Sequence, residues 1–274
     1  MNTKIIAIAN QKGGVAKTTS TLNIGVALRR LNKKVLLIDG DPQSSLSKAY
    51  WNIKDYDEFF GLTELMEAAR LHKPFDAKTV IHHDDLNDID YIPADNSLSS
   101  IVQALTKPNT MRQALHNDAI IGKYDYVIVD CPPSLSMLLY NELTAADEVI
   151  IPVTPEKMAI EGIEQLLETV EDAQAHTNEK LHVLGFIITR MKVRGKLQKE
   201  KVEEIDKMFD DLDIIGTIHH SNDVEHSVEA AKALALYREN YSNRYYNRAA
   251  YEYKLIAKRI VRRTKLCEVN DNDN

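Results

Sequence analysis

The stretch Lys12-Gly13-Gly14-Val15-Ala16-Lys17-Thr18-Thr19 stands between an apolar run and a helical one. Lys4 to Ala9 reads as a short buried strand, and Thr18 to Leu31 as a helix. A glycine-rich turn entering a helix N-terminus is an anion site, because backbone N–H groups point inward and the helix dipole favours negative charge. On that reading Lys17 reaches the β- and γ-phosphates of a nucleotide and the Thr18 hydroxyl ligates Mg²⁺. Gly13, Gly14, Val15, Ala16 and Thr19 complete the cradle. The string departs from G-x-x-x-x-G-K-[ST], which needs glycine just before the lysine. Here the glycines sit upstream and a further lysine, Lys12, precedes them.

Two other runs end in carboxylates: Val35-Leu36-Leu37-Ile38-Asp39-Gly40-Asp41-Pro42-Gln43 and Tyr126-Val127-Ile128-Val129-Asp130-Cys131-Pro132-Pro133. Unalternating Val, Ile and Leu suit strands buried on both faces of a parallel sheet. Carboxylates at the C-terminal ends of such strands face the ligand crevice. Strands are also expected at Ile89 to Ile92, Glu148 to Val153, Leu181 to Thr189 and Asp213 to Ile218. Helices are expected at Ser97 to Lys107, Lys157 to His176 and Lys196 to Asp210. The alternation predicts an α/β fold, a mostly parallel twisted sheet with helices on both faces. Residues 50 to 88 read as an irregular surface insertion.

Together these motifs resemble the ParA/MinD group of ATPases, whose phosphate loop is the deviant Walker A form K-G-G-x-x-K-[ST]. The resemblance covers about residues 1 to 240 and is similar to the ParA/Soj partitioning members in particular. It implies ATP and Mg²⁺ as cofactors, with Asp130 in the Walker B position, Asp39 near the metal and Asp41 beside the attacking water. It implies an ATP-dependent homodimer in which Lys12 reaches the partner's nucleotide. It further implies non-specific binding of double-stranded DNA and a ParB-type centromere-binding protein that stimulates hydrolysis. The family's adenine-contacting loop follows the last strand, which makes Arg190 and His219 the candidate base contacts. Ile218-His219-His220 replaces the usual Ile-Pro-Arg. Gly185 to Arg194 resembles the segment G-V-L-L-T-x-x-x-x-R, placing Arg194 on a DNA-contacting arginine and Lys192 beside it. A second such arginine is missing from His220-Ser221-Asn222-Asp223.

The charge pattern bears on that DNA surface. The 274-residue chain has a net charge of −7, yet residues 238 to 265 hold nine Lys or Arg against two Glu, a local +7. Arranged at about 100° per residue, Tyr245, Ala249, Tyr253, Ile256 and Ile260 share a packing face. Arg244, Arg248, Lys254, Lys258, Arg262 and Lys265 form an opposite basic stripe, an electrostatic footprint for phosphate backbones. One ATPase domain over residues 1 to 265 is expected, with a polar, disordered tail at 266 to 274.

Other classes fit less well. The two cysteines, Cys131 and Cys267, have no metal-binding spacing and point to a reducing, cytoplasmic setting, nucleoid-associated if DNA is bound. They do not suit a nitrogenase-type electron carrier. His82-His83 and His219-His220 lack a third ligand. No run reaches the roughly 18 apolar residues of a membrane span, and no signal peptide is expected. A MinD-like membrane ATPase, using Leu255 to Cys267 as an amphipathic anchor, is one alternative. A nucleotide-switched, non-enzymatic scaffold is another.

Overall fold

The computed structural model describes residues 3–51, 60–237 and 247–272. Eight strands form one sheet in the order β3-β4-β2-β5-β1-β6-β7-β8. They are β1 (Lys4–Ile8), β2 (Val35–Asp39), β3 (His82–Asp84), β4 (Ile89–Ile92), β5 (Tyr126–Asp130), β6 (Glu148–Val153), β7 (His182–Met191) and β8 (Ile214–His219). Every pairing is parallel except the β3–β4 edge. The central strands are apolar at successive positions because both sheet faces are covered. Ile5 and Ala7 of β1 enter one core with Leu36, Ile38, Val127 and Val129. Ile6 and Ile8 enter the other with Leu37, Ile128 and Ile150.

The first face is covered by α3 (Leu62–Arg70), α4 (Leu98–Ala104), α5 (Thr110–Leu115), α6 (Met137–Ala145), α7 (Ala159–His176) and α8 (Lys196–Met208). The second carries α1 (Lys17–Arg29), α2 (Ser45–Tyr50), α9 (Asn222–Glu229), α10 (Leu234–Tyr237) and α11 (Arg248–Asn272). Helix α1 is buried nearly all round, since the sheet lies beneath it and α11 packs alongside. That explains why Thr21 to Leu28 carries no polar stripe.

The region expected to be an irregular insertion is more ordered where described. Helix α3 contributes buried Leu62, Leu65 and Met66, and a 3₁₀ turn at Ala77–Val80 leads into β3. Its few apolar residues recur at helical spacing within a short segment, a weak signal beside the surrounding Asp and His. Helix α11 starts at Arg248 and runs to Asn272, through most of the segment read as a disordered tail. Charge and polarity there do not oppose a helix that an apolar stripe has already nucleated upstream. Of the expected packing face, Ala249, Tyr253, Ile256 and Ile260 are buried. Tyr245, like Arg244, lies outside the described residues, and at Lys265 only the backbone is described.

Helix α11 sits close to β8 because Gly216 has no side chain. A Cβ there would lie 2.3 Å from Ile256 Cγ1. Gly216→Val should therefore cost about 1–3 kcal/mol through overpacking. Adding Ile256→Ala should recover part of that loss. Urea midpoints of the single and double variants check this, and strictly additive losses would contradict a shared slot.

Candidate functional site

The phosphate loop is held open by its anchors. Asn10 leaves β1 with its Nδ2 donating to the Pro152 carbonyl (2.8 Å), while its Oδ1 accepts from the Lys12 backbone N–H (2.8 Å). Thr189 Oγ1 of β7 donates to the Val15 carbonyl (3.1 Å). Gly14 adopts φ 76°, a left-handed conformation that glycine reaches without strain. Ala16 adopts φ 67° and begins α1 without a side-chain cap. The first N–H groups of that helix thus have no side-chain acceptor at the cap and remain available to an anion. Lys17 is 8% exposed, with Nζ 3.4 Å from the Lys12 carbonyl. Burial lowers its ammonium pKa, and the Asp130 charge opposes that shift.

Facing the loop, β2 and β5 run in register so that Asp39 pairs with Asp130. Both are buried at the strand ends. Asp39 Oδ2 accepts from the Ser47 backbone N–H (2.8 Å) and hydroxyl (2.7 Å), and Oδ1 from the Asp41 N–H (3.2 Å). Burial nevertheless raises its pKa to about 6. Asp130 Oδ1 accepts from the Thr21 hydroxyl (3.2 Å), and the Thr18 hydroxyl also bonds to this carboxylate. Its pKa is raised by burial first and by the Asp39 charge second. Asp41 is 8% exposed and fixed by the Gln43 N–H (2.8 Å). Two crowded buried carboxylates beside a threonine hydroxyl form an oxygen-only donor set, which suits a hard divalent cation such as Mg²⁺.

Sequence reading missed Glu142 of α6. It is fully buried, and the Cys131 thiol hydrogen-bonds to its carboxylate. It fills the space left by Gly40, where a Cβ would lie 2.1 Å from its Oε1. Burial, reinforced by the charges of Asp130, Asp41 and Asp39, holds its pKa well above the carboxylate range. The only sequence signal is a lone glutamate in an apolar helix.

Lys12 lies apart from this cluster. Its Nζ makes an ion pair with Glu156 (2.6 Å), and the two side chains are 32% and 56% exposed. Exposed pairs of this kind are worth at most about 1 kcal/mol, so Lys12 is cheap to redirect.

Beyond the loop a cavity of about 740 Å³ opens at the C-terminal ends of β7 and β8, lined by Thr19, Arg190, His219, His220, Ser221 and Tyr253 among others. The expected base contacts Arg190 and His219 both reach it. The nitrogens of His219 are engaged elsewhere, however. Its backbone N–H donates to Glu252 Oε2 (2.8 Å), Nδ1 lies 2.7 Å from Glu252 Oε1, and Nε2 lies 2.9 Å from Arg248 Nη2.

The expected DNA residues divide. Lys254, Lys258 and Arg262 are exposed along α11, and Lys192 and Arg194 are exposed between β7 and α8. Arg248 is exposed as well but is held by Glu252 and His219. Arg259 and Arg263 turn inward to the Ile215 and Leu184 carbonyls, so they fasten α11 to the sheet.

A parallel sheet with a glycine loop entering α1, opposed by strand-end aspartates, defines a P-loop nucleotide-binding protein. The model of the AAA domain family matches residues 3–183. Soj, the sporulation initiation inhibitor protein of Bacillus subtilis, is 39% identical over 76% of this chain and 81% of its own length. The chromosome partitioning protein ParA of Caulobacter vibrioides is 34% identical over 85% of this chain and 87% of its own. A plasmid partition protein of Borrelia burgdorferi bound to AMPPNP superposes with a TM-score of 0.76 at 27% identity, covering 95% and 99% of the two chains. This chain belongs to the ParA/Soj-type partitioning ATPases of the ParA/MinD group.

The site carries a pH signature. Asp39 binds its proton more tightly when folded, near pH 6, than at the ordinary 3.8. Its contribution is full below about pH 4 and is lost as pH rises through 6, a change of roughly 3 kcal/mol. Asp130 extends the loss in the same direction. Urea unfolding of the nucleotide-free protein from pH 4.5 to 7 should show this decline, and Asp39→Asn should flatten it. An unchanged slope in the variant would contradict the assignment.

Proposed function

We propose that this chain is a Mg²⁺-dependent ATPase that segregates DNA, cycling in the cytoplasm between a nucleoid-bound ATP dimer and a released ADP form. The observation that carries this reading is the convergence of Lys17, Thr18, Asp39, Asp41 and Asp130 around one loop. Phosphoryl transfer needs positioning and charge neutralisation more than covalent chemistry. Lys17, its ammonium held among carboxylates, is set to compensate β- and γ-phosphate charge. The α1 N–H groups receive phosphate oxygens. Thr18, Asp130 and Asp39 would hold Mg²⁺, which when bound supplies further neutralisation. Asp41, fixed by Gln43, orients the attacking water. The exposed Lys12 exchanges Glu156 for the nucleotide of a second protomer, so dimerisation follows ATP. The dimer then binds double-stranded DNA through Lys254, Lys258, Arg262, Lys192 and Arg194, and a ParB-type partner stimulates turnover.

Burial of Ala249, Tyr253, Ile256 and Ile260 against the sheet supports DNA over a MinD-like membrane role, since an anchor would need that face free. Among the described residues no helix is long and apolar enough to cross a membrane.

Lys17→Ala should lower ATP turnover by at least about 100-fold. Asp41→Ala should retain MgATP and accumulate a dimer on size-exclusion chromatography while turnover stops. Wild-type turnover in either variant refutes the corresponding role.

For DNA, fluorescence anisotropy with two unrelated duplexes should give equal affinities that need ATP. The slope of log K against log salt should be about −0.9 per phosphate contact. Lys258→Glu with Arg262→Glu should flatten that slope without changing DNA-free turnover. Undiminished binding would remove α11 from the interface, and strong preference for one duplex would indicate an operator-binding regulator.

A further inference from the structure

The contacts of His219 tie the nucleotide cavity to the helix that bears the basic stripe. His219 is the last residue of β8, and it lines the cavity together with His220 and Ser221. Its backbone N–H and Nδ1 both meet Glu252, and its Nε2 meets Arg248. Arg248 Nε also donates to Glu252 Oε1 (2.8 Å), so the two α11 residues and the histidine close a ring of contacts. A guanidinium only donates. His219 Nε2 therefore accepts from Arg248, and the ring proton sits on Nδ1, donated to Glu252. All three nitrogens of His219 are thus committed to one turn of α11. The other side of this loop is pinned to β7 by the His220 N–H, which donates to the Met191 carbonyl (2.9 Å).

Two consequences follow. The β8–α9 connection cannot shift to receive a base without disturbing Glu252 or Arg248. Conversely, Arg248 is 47% exposed at the start of the basic face, yet its guanidinium is spent on Glu252 and His219. Glu252 is only 12% exposed and is the shared acceptor.

We infer that Glu252 is a positioning residue that couples nucleotide occupancy to DNA affinity, withholding Arg248 from phosphate backbones until a base engages the His219 loop. The inference rests on the DNA-partition reading above for its second half, and on the cavity alone for its first. A coupling of this kind is reciprocal: nucleotide tightens DNA by the factor with which DNA tightens nucleotide.

The test uses the full chain with ADP, ATP and a non-specific duplex. Histidine ¹⁵N spectra of the free protein should show His219 as the neutral Nδ1–H tautomer, and ADP should move that signal. Glu252→Gln should lose the tautomer preference. It should also raise the DNA affinity of nucleotide-free protein at least about threefold, and shrink the ATP-to-free affinity ratio correspondingly. Arg248→Ala, at an exposed position that folding tolerates, should lower DNA affinity in the ATP form while leaving the free form within twofold. An equal loss in both forms would make Arg248 an ordinary member of the stripe and overturn the proposal. So would a His219 signal indifferent to ADP. If the wild type binds no DNA in any nucleotide state, the partition reading fails, and the ADP response of His219 with its loss in Glu252→Gln still decides the coupling.

Discussion

The register of β2 against β5 is the constraint on which the site depends. It sets Asp39 beside Asp130 at buried strand ends and leaves two carboxylates with raised pKa values. Without a cation nearby such a pair is electrostatically costly, and the fold answers by placing Lys17, Thr18 and Thr21 of α1 against it. The helix is held there by burial on all sides, by the sheet below and by α11 alongside. Site geometry and core packing are therefore one problem. A change that loosens α11 on Gly216 also loosens the helix that carries the phosphate loop.

Helix α11 serves both layers of that arrangement. Its buried face, Ala249, Tyr253, Ile256 and Ile260, completes the second core, and Tyr253 contacts the Ser20 hydroxyl (3.1 Å) of α1. Its outer face carries the free cations. Between the two faces, Glu252 and Arg248 hold His219 at the rim of the cavity beyond the phosphate loop. Core, cavity rim and basic stripe thus meet within two helical turns, which is a physical route by which occupancy of one can bias another.

Glu142 and Gly40 show a second kind of dependence. The glycine between the two aspartates leaves a slot, and a buried glutamic acid from α6 fills it. Four acidic side chains then crowd one end of the sheet, which gives the site a strong preference for gaining positive charge.

Much of this was legible in the order of residues. The Lys12 to Thr19 loop, the aspartates ending β2 and β5, and the boundaries of β2, β4, β5 and β6 are local patterns whose physics acts within a few residues: apolar runs, glycine turns, carboxylates at strand ends. The buried face of α11 was readable from its spacing for the same reason. The engagement of His219 by Glu252 and Arg248 was not, because those partners lie 33 and 29 residues away and meet only when α11 docks on β8. The anchoring of Arg259 and Arg263 on the Ile215 and Leu184 carbonyls, the ion pair of Lys12 with Glu156 and the Gly40–Glu142 pair likewise need the folded sheet. Sequence determined which chemistry the strand ends carry, since that depends on residue type and local backbone. Tertiary structure decided which charges remain free to act, because burial and pairing across distant elements set whether a charged group is already spent.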